Sequence, residues 1–212
     1  IKFKKFKVNM NYVKSNLDDE KFYVTQNSFT KKIKSSVKYL INNINKKKVK
    51  NSKSLIFESC LTKKDNKKLL NFFKQPIIYV PDYVPDSNEV NHKLREEISK
   101  KLDKKINNEF EKFVKEIIFK IFPMCFLENF EDLKSKCSKC VLPVNPKFIF
   151  TSNAFDVNET FKMYLCQNLE KSKYFAGQHG GATPVSKYGV LDSYLFDQVD
   201  GFFNWGWANQ SK

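Results

Sequence analysis

Hydrophobic residues recur along the chain at two spacings, one typical of helices and one typical of short strands. The stretch 88–121 carries an apolar residue about every fourth position, as at Leu94 and Ile98. Residues 29–45 show the same helical spacing. A stripe of this kind predicts a helix that packs one face against a core. We expect helices over both stretches and over roughly 124–136.

Short apolar runs bounded by turn residues predict strands. We expect a strand at Ser54–Phe57, a helix from the cap Thr62 to Phe73, and a second strand at Pro76–Val80. This order predicts a parallel pair joined by a right-handed crossover. The polar run Lys46–Lys53 predicts a loop. Further strands are expected at Ile1–Val8, Phe148–Phe150, Lys173–Ala176 and Gly201–Asn204.

A second α/β region follows Pro143 and Pro146. Asp156 or Asn158 is a suitable cap for a helix that ends near Leu169, and 190–198 predicts another short helix. The alternation of strands and helices predicts an α/β fold with Rossmann-like parallel sheets. We divide the chain into an N-terminal α/β part (1–87), a helical connector (88–142) and a second α/β part (143–212).

The chain of 212 residues has a formal net charge of +15, which is unevenly distributed. Residues 141–212 hold six Lys and six acidic residues, so the excess lies in 1–140. Of the 38 basic residues only Arg95 is an arginine, although the bidentate guanidinium suits phosphate and base recognition best. We interpret the lysines as a solvated surface, with attraction to an anionic membrane and binding of nucleic acid as alternatives.

The longest apolar stretch, 117–127, is interrupted by Lys120 and Pro123 and falls short of the ~18 residues that a membrane span needs. Nothing at Ile1 resembles a signal peptide. Because the chain lacks an initiator Met, we expect a fragment of a longer protein. The odd number of five cysteines, without an export signal, predicts reduced cytoplasmic thiols. Cys137–Cys140 has zinc-knuckle spacing but lacks a second ligand pair, so we expect no metal site.

The six glycines concentrate in one window, from Gly177 to Gly206, which also holds His179 and both tryptophans. In open α/β sheets, ligands bind at the carboxyl ends of the strands. We therefore expect Ser152–Asn153, after one strand, and Gly177–Gly181, after the next, to lie side by side. Backbone N–H groups of the glycine turn would cradle a phosphate, and His179 would donate a proton to it. The alternative is a structural histidine that hydrogen-bonds its own loop.

Several blocks in the same order resemble a family of transferases found in bacterial surface-polysaccharide clusters, similar to glycosyltransferases of the GT-B arrangement. The resemblance runs from about Leu94 to Trp207. One departure is the insertion of 182–187 between the glycine turn and Tyr188–Gly189. The matching blocks are Asn108–Glu111, Phe122–Pro123, Phe126–Phe130, Pro146–Ile149, Thr151–Phe155, Glu159–Lys162, Gly177–Gly181, Asp200 and Trp205–Trp207.

The resemblance implies two Rossmann-like lobes, with 143–212 as the start of the lobe that binds a nucleotide sugar. It implies glycosyl transfer to a surface-polysaccharide precursor in the cytoplasm, with the nucleotide sugar as a substrate and no cofactor or metal. The charge of residues 1–140 adds the expectation of a peripheral contact with the inner, anionic face of the membrane. His179 would be the catalytic residue. Tyr188, Trp205 and Trp207 would form a wall of the cleft, with core packing as the alternative for the tryptophans. Donor-phosphate contacts would come from Gly177, Gln178, Gly180, Gly181, Ser152 and Asn153.

Two other functions remain open at this point. A Lys-rich module could bind single-stranded nucleic acid through the first 140 residues, with Phe and Tyr for base stacking. A relative of the epimerase type would keep the nucleotide-sugar cleft and perform no transfer. Salt-sensitive binding of a single strand would indicate the first, and product analysis without an acceptor would indicate the second.

Overall fold

The computed structural model describes residues 40–101, 108–180 and 195–206, all within one compact unit, Lys38–Lys212. Residues 40–44 and 195–198 are helical, and a 3-10 turn spans Met124–Phe126. The strands are β1 (Ser54–Ile56), β2 (Phe148–Thr151), β3 (Lys173–Gly177) and β4 (Gly201–Phe203). The helices are α1 (Lys46–Lys50), α2 (Lys63–Phe72), α3 (His92–Lys101), α4 (Glu109–Ile121), α5 (Phe130–Lys139), α6 (Ala154–Val157) and α7 (Glu159–Cys166).

The four strands form one parallel sheet in the order β1-β2-β3-β4. Ser54 pairs with Phe148, Phe148 with Lys173, and Phe175 with Gly201. The predicted α/β fold with a Rossmann-like parallel sheet is confirmed. β1 comes from the first predicted part of the chain and β2 from the third, and the two strands are neighbours in this one sheet.

One face of the sheet carries the hydrophobic core. Leu55, Ile149 and Tyr174 stand in register on adjacent strands and are buried. Leu133 of α5 and Phe161 of α7, both fully buried, belong to the same cluster. Each connection advances one strand in the same direction, and right-handed crossovers of that kind lie on a single face. The crossover helices α5 and α7 therefore pack on this side, whereas Phe73 at the end of α2 contacts Phe148 on the other face, with ring centroids 4.9 Å apart.

The opposite face is a row of phenylalanines. Ring centroids of Phe150 and Phe203 lie 5.7 Å apart, and those of Phe175 and Phe203 lie 6.0 Å apart. Gly201 is part of this packing, because a Cβ there would lie 3.0 Å from the ring of Phe175. Phe203 remains 60% exposed, so this face of the sheet is partly open at β4.

The predicted strand at Pro76–Val80 is wrong, because the outer edge of β1 is occupied by a side chain. The Gln75 amide accepts from the Ile56 N–H at 2.8 Å and donates to the Ile56 carbonyl at 3.0 Å. The Asn42 amide binds the N–H and carbonyl of Tyr79 in the same way, at 3.0 and 2.7 Å. Two buried amides thus replace the ladder that a strand would make, and the real neighbour of β1 is β2.

Two helix caps were predicted correctly, but the extents of several helices were not. Thr62 caps α2 and Asn158 caps α7, each accepting from the backbone N–H three residues later. The predicted loop at Lys46–Lys53 is wrong, since residues 46–50 are helical. The predicted single helix over 88–121 is also wrong, because Asn108 has an extended backbone and caps a new helix. The helix predicted over 124–136 is split into a 3-10 turn and α5, which extends to Lys139.

The single arginine is buried and paired inside the helical part of the molecule. Arg95 makes a bidentate contact with Glu128, with Nε to Oε1 at 2.5 Å and Nη2 to Oε2 at 2.9 Å. Its remaining donors reach the carbonyl oxygens of Phe119 and Phe122. The bonds from Arg95 to the Glu128 carboxylate hold the pKa of that carboxyl below its usual value. Arg95 thus joins α3 to the end of α4 and is no candidate for phosphate recognition.

Among the described residues no helix is long and apolar enough to cross a membrane. The predicted strand at Ile1–Val8, residues 29–39 of the first predicted helix and residues 190–194 of the last lie outside the described residues.

Candidate functional site

Polar turns follow all four strands at the same edge of the sheet. Because the strands are parallel, their carboxyl ends meet there, which is where open α/β sheets bind ligands. The turns are Glu58–Ser59 after β1, Ser152–Asn153 after β2, Gln178–Gly180 after β3, and Asn204–Gly206 after β4. The expected neighbourhood of the Ser-Asn turn and the glycine turn follows from the pairing of β2 with β3.

Gly177 is a glycine because Ser152 lies against its backbone. A Cβ at Gly177 would lie 2.3 Å from the Ser152 Oγ and 3.0 Å from the ring of Phe150. Ser152 itself is buried and donates its hydroxyl to the Ser59 carbonyl at 3.1 Å. The close packing of Ser152 and Gly177 therefore holds the ends of β1, β2 and β3 together.

A buried glutamine shapes the glycine turn. The Gln178 amide donates to the Gly180 carbonyl at 2.9 Å and accepts from the Trp205 N–H at 3.0 Å. Its backbone N–H donates to the Phe203 carbonyl at 2.8 Å. Gln178 is thus a clamp between the turn after β3 and the turn after β4.

His179 is exposed between these clamped residues. The next residue, Gly180, has open space around it, since a Cβ there would meet nothing within 4 Å. The imidazole therefore stands at the carboxyl edge on a turn fixed by Gln178, where its nitrogens can reach a solvent-borne anion. Gly181, which the sequence placed in the same turn, lies outside the described residues.

The turn after β1 was missed by the sequence analysis. Glu58 and Cys60 both have left-handed backbones, with φ of 48° and 56°. A non-glycine residue in this region costs about 1–2 kcal/mol, and such strain is typical of functional sites. No Gly or Asn marks the turn in the sequence, so only the structure reveals it.

Contacts from α2 and from the Ser152–Asn153 turn hold this strained turn in place. The Ser59 hydroxyl donates to Asn66 of α2 at 2.9 Å, and the Ser152 N–H donates to the Glu58 carbonyl at 2.9 Å. The Asn153 amide donates to the Glu58 carboxylate at 3.3 Å. Burial, and next the Glu58 charge, raise the pKa of the Cys60 thiol. An exposed carboxylate is therefore held beside Asn153, at the same edge as His179.

The aromatic residues proposed as a cleft wall are only partly described. Trp205 is 65% exposed at the end of β4, so its indole is available for contact rather than buried in the core. Tyr188 and Trp207 lie outside the described residues.

The CxxC pair lies at the end of α5, away from this edge. Burial raises the pKa of the Cys137 thiol to about 12, and its Sγ lies 3.7 Å from the Thr160 carbonyl. All five cysteines are free. Within 40–101, 108–180 and 195–206 no three His, Cys, Asp or Glu side chains gather as metal ligands. Cys137 packs α5 against α7.

The comparison with known families identifies the class of protein. A model of the LIC12162 family of transferases matches residues 2–212. No curated protein and no solved structure matches the chain. Since the family model spans nearly all of the chain, the chain belongs to the LIC12162 family and is a transferase.

Proposed function

We propose that this member of a transferase family moves a glycosyl unit from a nucleotide-activated sugar to a surface-polysaccharide precursor. The observation that carries the proposal is the exposed His179, clamped by Gln178 at the carboxyl edge of a parallel sheet and beside the Ser152–Asn153 turn. Rossmann folds bind the pyrophosphate of a dinucleotide at this edge, and a nucleotide sugar carries phosphate of the same kind. The nucleotide sugar is a substrate, and the proposal includes no metal and no cofactor.

The transfer breaks the bond between the anomeric carbon and the diphosphate oxygen and forms a bond to the acceptor hydroxyl oxygen. Negative charge develops on the leaving diphosphate, and a proton leaves the acceptor. The His179 imidazole donates a hydrogen bond to a leaving phosphate oxygen, and backbone N–H groups near Gly180 supply further donors. Gly181 belongs to the same proposed turn.

Glu58 is the carboxylate that we assign to the acceptor proton. It lies two strands away from the phosphate turn, with β2 between them, and the Asn153 amide contacts it at 3.3 Å. Neighbouring strands are about 4.8 Å apart, so the β1 and β3 ends are about 10 Å apart. A sugar ring spans much of that separation, which suits an acceptor on the β1 side and a diphosphate on the β3 side.

The remaining site residues have supporting roles in this proposal. Asn153 binds the donor while orienting Glu58, and Ser152 with Gly177 sets the distance between the two strand ends. Trp205, Trp207 and Tyr188 form a wall for the base or the sugar. A second Rossmann-like lobe, in the GT-B arrangement, would close the cleft. We place the enzyme in the cytoplasm at the inner membrane face, where five free thiols stay reduced.

The test of His179 is turnover by the full-length protein against a panel of UDP-, GDP-, dTDP- and CMP-sugars. A hydrogen bond to a charged group contributes about 1.5–3 kcal/mol, so His179→Ala should cut turnover about ten- to hundredfold with little change in melting temperature. His92→Ala, which removes the other exposed histidine at the start of α3, is the matched control.

Turnover per folded molecule at the parental level would remove His179 from the site. Interconversion of sugars without an acceptor would indicate an epimerase instead. Salt-sensitive binding of a single-stranded oligonucleotide, with no protection by any nucleotide sugar, would indicate the nucleic-acid module.

Glu58→Gln separates the proton acceptor from donor binding. It keeps the shape of the side chain and removes its basicity, so turnover should fall by about a hundredfold. Thermal protection by the nucleotide sugar should persist. Asp156→Asn, an exposed carboxylate just beyond Asn153, serves as the control. Equal turnover by both variants would show that Glu58 is not the base.

A further inference from the structure

An open groove lies at the amino end of β1, at the end of the sheet opposite the candidate site. It is built from α1 and the residues that lead into β1, together with the residues that follow α2. Ile41, Phe73 and Ile77 contribute its apolar lining, and Lys47, Lys48, Lys53 and Lys74 stand around them. We call these seven residues the lysine groove.

Among the described residues, no carboxylate neutralises the charge of the lysine groove. Its lining contains four lysines and no acidic residue. Within the described ranges none of the four makes an ion pair with a carboxylate, whereas Lys136 pairs with Asp132 at 2.9 Å and Lys173 with Asp200 at 2.6 Å. Lys136 and Lys173 are thus balanced by a neighbouring carboxylate, whereas the four lysines that line the groove share one surface without a described partner of that kind. A surface of this kind favours an anionic partner.

Large apolar side chains are exposed around the same groove. Ile44, on the helical turn next to Ile41, is 82% exposed, and Phe72 is 79% exposed. The ring of Phe72 contacts that of Phe73 edge-on at 5.0 Å, and Ile77 is 70% exposed. Exposed apolar groups beside lysines are typical of surfaces that enter the interface of an anionic bilayer.

Lys74 occupies a position where glycine is usual. It follows the end of α2 with a φ of 52°, and the N–H groups of Lys74 and Gln75 bond back to carbonyls of that helix. Glycine takes such a left-handed position without strain. A lysine there costs folding stability and adds a positive charge to the groove.

We infer that the lysine groove docks on the surface of an anionic lipid bilayer, with its lysines at the lipid phosphates and Phe72, Ile44 and Ile77 among the acyl chains. Nucleic acid would take the lysines but leave aliphatic Ile44 and Ile77 in water, since it binds through phosphates and base stacking. The inference deepens the location part of the proposed function, and it is independent of the transfer chemistry.

Vesicle sedimentation of the full-length protein tests the inference without measuring turnover. We expect binding to vesicles of phosphatidylglycerol and phosphatidylcholine, weakened by salt, and little binding to phosphatidylcholine alone. Changing Lys47, Lys48, Lys53 and Lys74 together to Gln should weaken binding at least about a hundredfold, because each lysine near an anionic leaflet contributes substantially. The matched control changes Lys100, Lys101, Lys112 and Lys139, which are exposed on α3, α4 and α5, to Gln.

Insertion is tested by a fluorescent probe at the exposed ring. In Phe72→Trp the added indole signal should shift to shorter wavelength on phosphatidylglycerol vesicles, while Phe110→Trp, an exposed ring on α4, should not shift. Three results would overturn the inference. They are equal loss of binding in the two lysine sets, equal binding to neutral vesicles, and self-association that the groove variant abolishes, which would make a second copy the occupant.

Discussion

The polar side chains at the carboxyl edge of the sheet and those of the lysine groove are bonded in opposite ways. At the carboxyl end, Ser152, Gln178 and Asn153 bond to neighbouring turns, so that almost every polar group holds another in place. At the amino end of β1, the lysine groove makes no ion pair with a described carboxylate. The first arrangement fixes a geometry, as chemistry on a substrate requires. The second keeps charge available to a partner.

Backbone conformation shows the same contrast at two single positions. Gly177 sits where a side chain has no room, and Lys74 sits where a glycine would relieve strain. If the side chains at the carboxyl edge fix one another in place, substitutions there should lower the free energy of unfolding. If the lysines of the groove serve to bind a partner, substitutions there should change the free energy of unfolding little or raise it.

The largest effect on stability is expected for Gly177→Ala. The new Cβ would lie 2.3 Å from the Ser152 Oγ, so this buried hydroxyl must move and lose its bond to Ser59. Overpacking of this kind costs about 1–3 kcal/mol, measured by urea unfolding. Gly180→Ala, where a Cβ meets nothing within 4 Å, should stay within about 0.5 kcal/mol.

A double-mutant cycle checks the cause of this loss. Ser152→Ala removes the hydroxyl that clashes, so Gly177→Ala should cost less in that background than in the parent chain. Additive losses would show that the Ser152 hydroxyl is not the obstacle, and the close packing of β2 on β3 would need another explanation.

Topology could be predicted from the sequence where local signals suffice. The apolar runs that became β2 and β3, and the caps Thr62 and Asn158, are recognisable without long-range information. Because the carboxyl ends of neighbouring parallel strands meet at one edge of the sheet, the sequence also predicted that Ser152 lies near the glycine turn. Pro76–Val80 was misassigned because its buried Ile78 and Val80 resemble a strand, while the ladder position belongs to the Gln75 side chain. That bond links residues 19 apart and leaves no local trace.

The candidate site was predictable only in part for the same reason. Glycine density and a lone histidine singled out the turn at His179. The clamp by Gln178 depends on where the backbone of Trp205 comes to lie, which spacing along the chain does not reveal. Glu58 stayed hidden because its left-handed turn has neither Gly nor Asn. Its place beside Asn153 comes from contacts across 95 residues.

An intermediate loss of stability is expected when either of two buried glutamines is replaced, Gln178 at the carboxyl edge or Gln75 beside the lysine groove. Gln178→Ala removes bonds to Gly180 and Trp205, and Gln75→Ala removes bonds to Ile56. Each should cost about 1–2 kcal/mol, because buried partners lose their bonds. Only Gln178→Ala should also lower turnover per folded molecule, since it frees the turn that carries His179. Equal turnover in the two variants would show that the clamp serves stability alone.

The smallest effect is expected for Lys74→Gly, and its sign decides the comparison. The substitution relieves a left-handed lysine, which costs about 1–2 kcal/mol, but adds backbone entropy to the unfolded chain at a cost of about 0.5–1 kcal/mol. The net result should be a gain of about 0.5 kcal/mol in urea unfolding, together with weaker binding to phosphatidylglycerol vesicles. Lys67→Gly, at an exposed position inside α2, should lose about 1 kcal/mol and leave vesicle binding nearly unchanged.

If Lys74→Gly destabilised the fold as much as Lys67→Gly, the backbone at Lys74 would carry no strain, and the contrast with Gly177 would fail. If the gain in stability came without loss of vesicle binding, the lysine at this position would have no part in the groove.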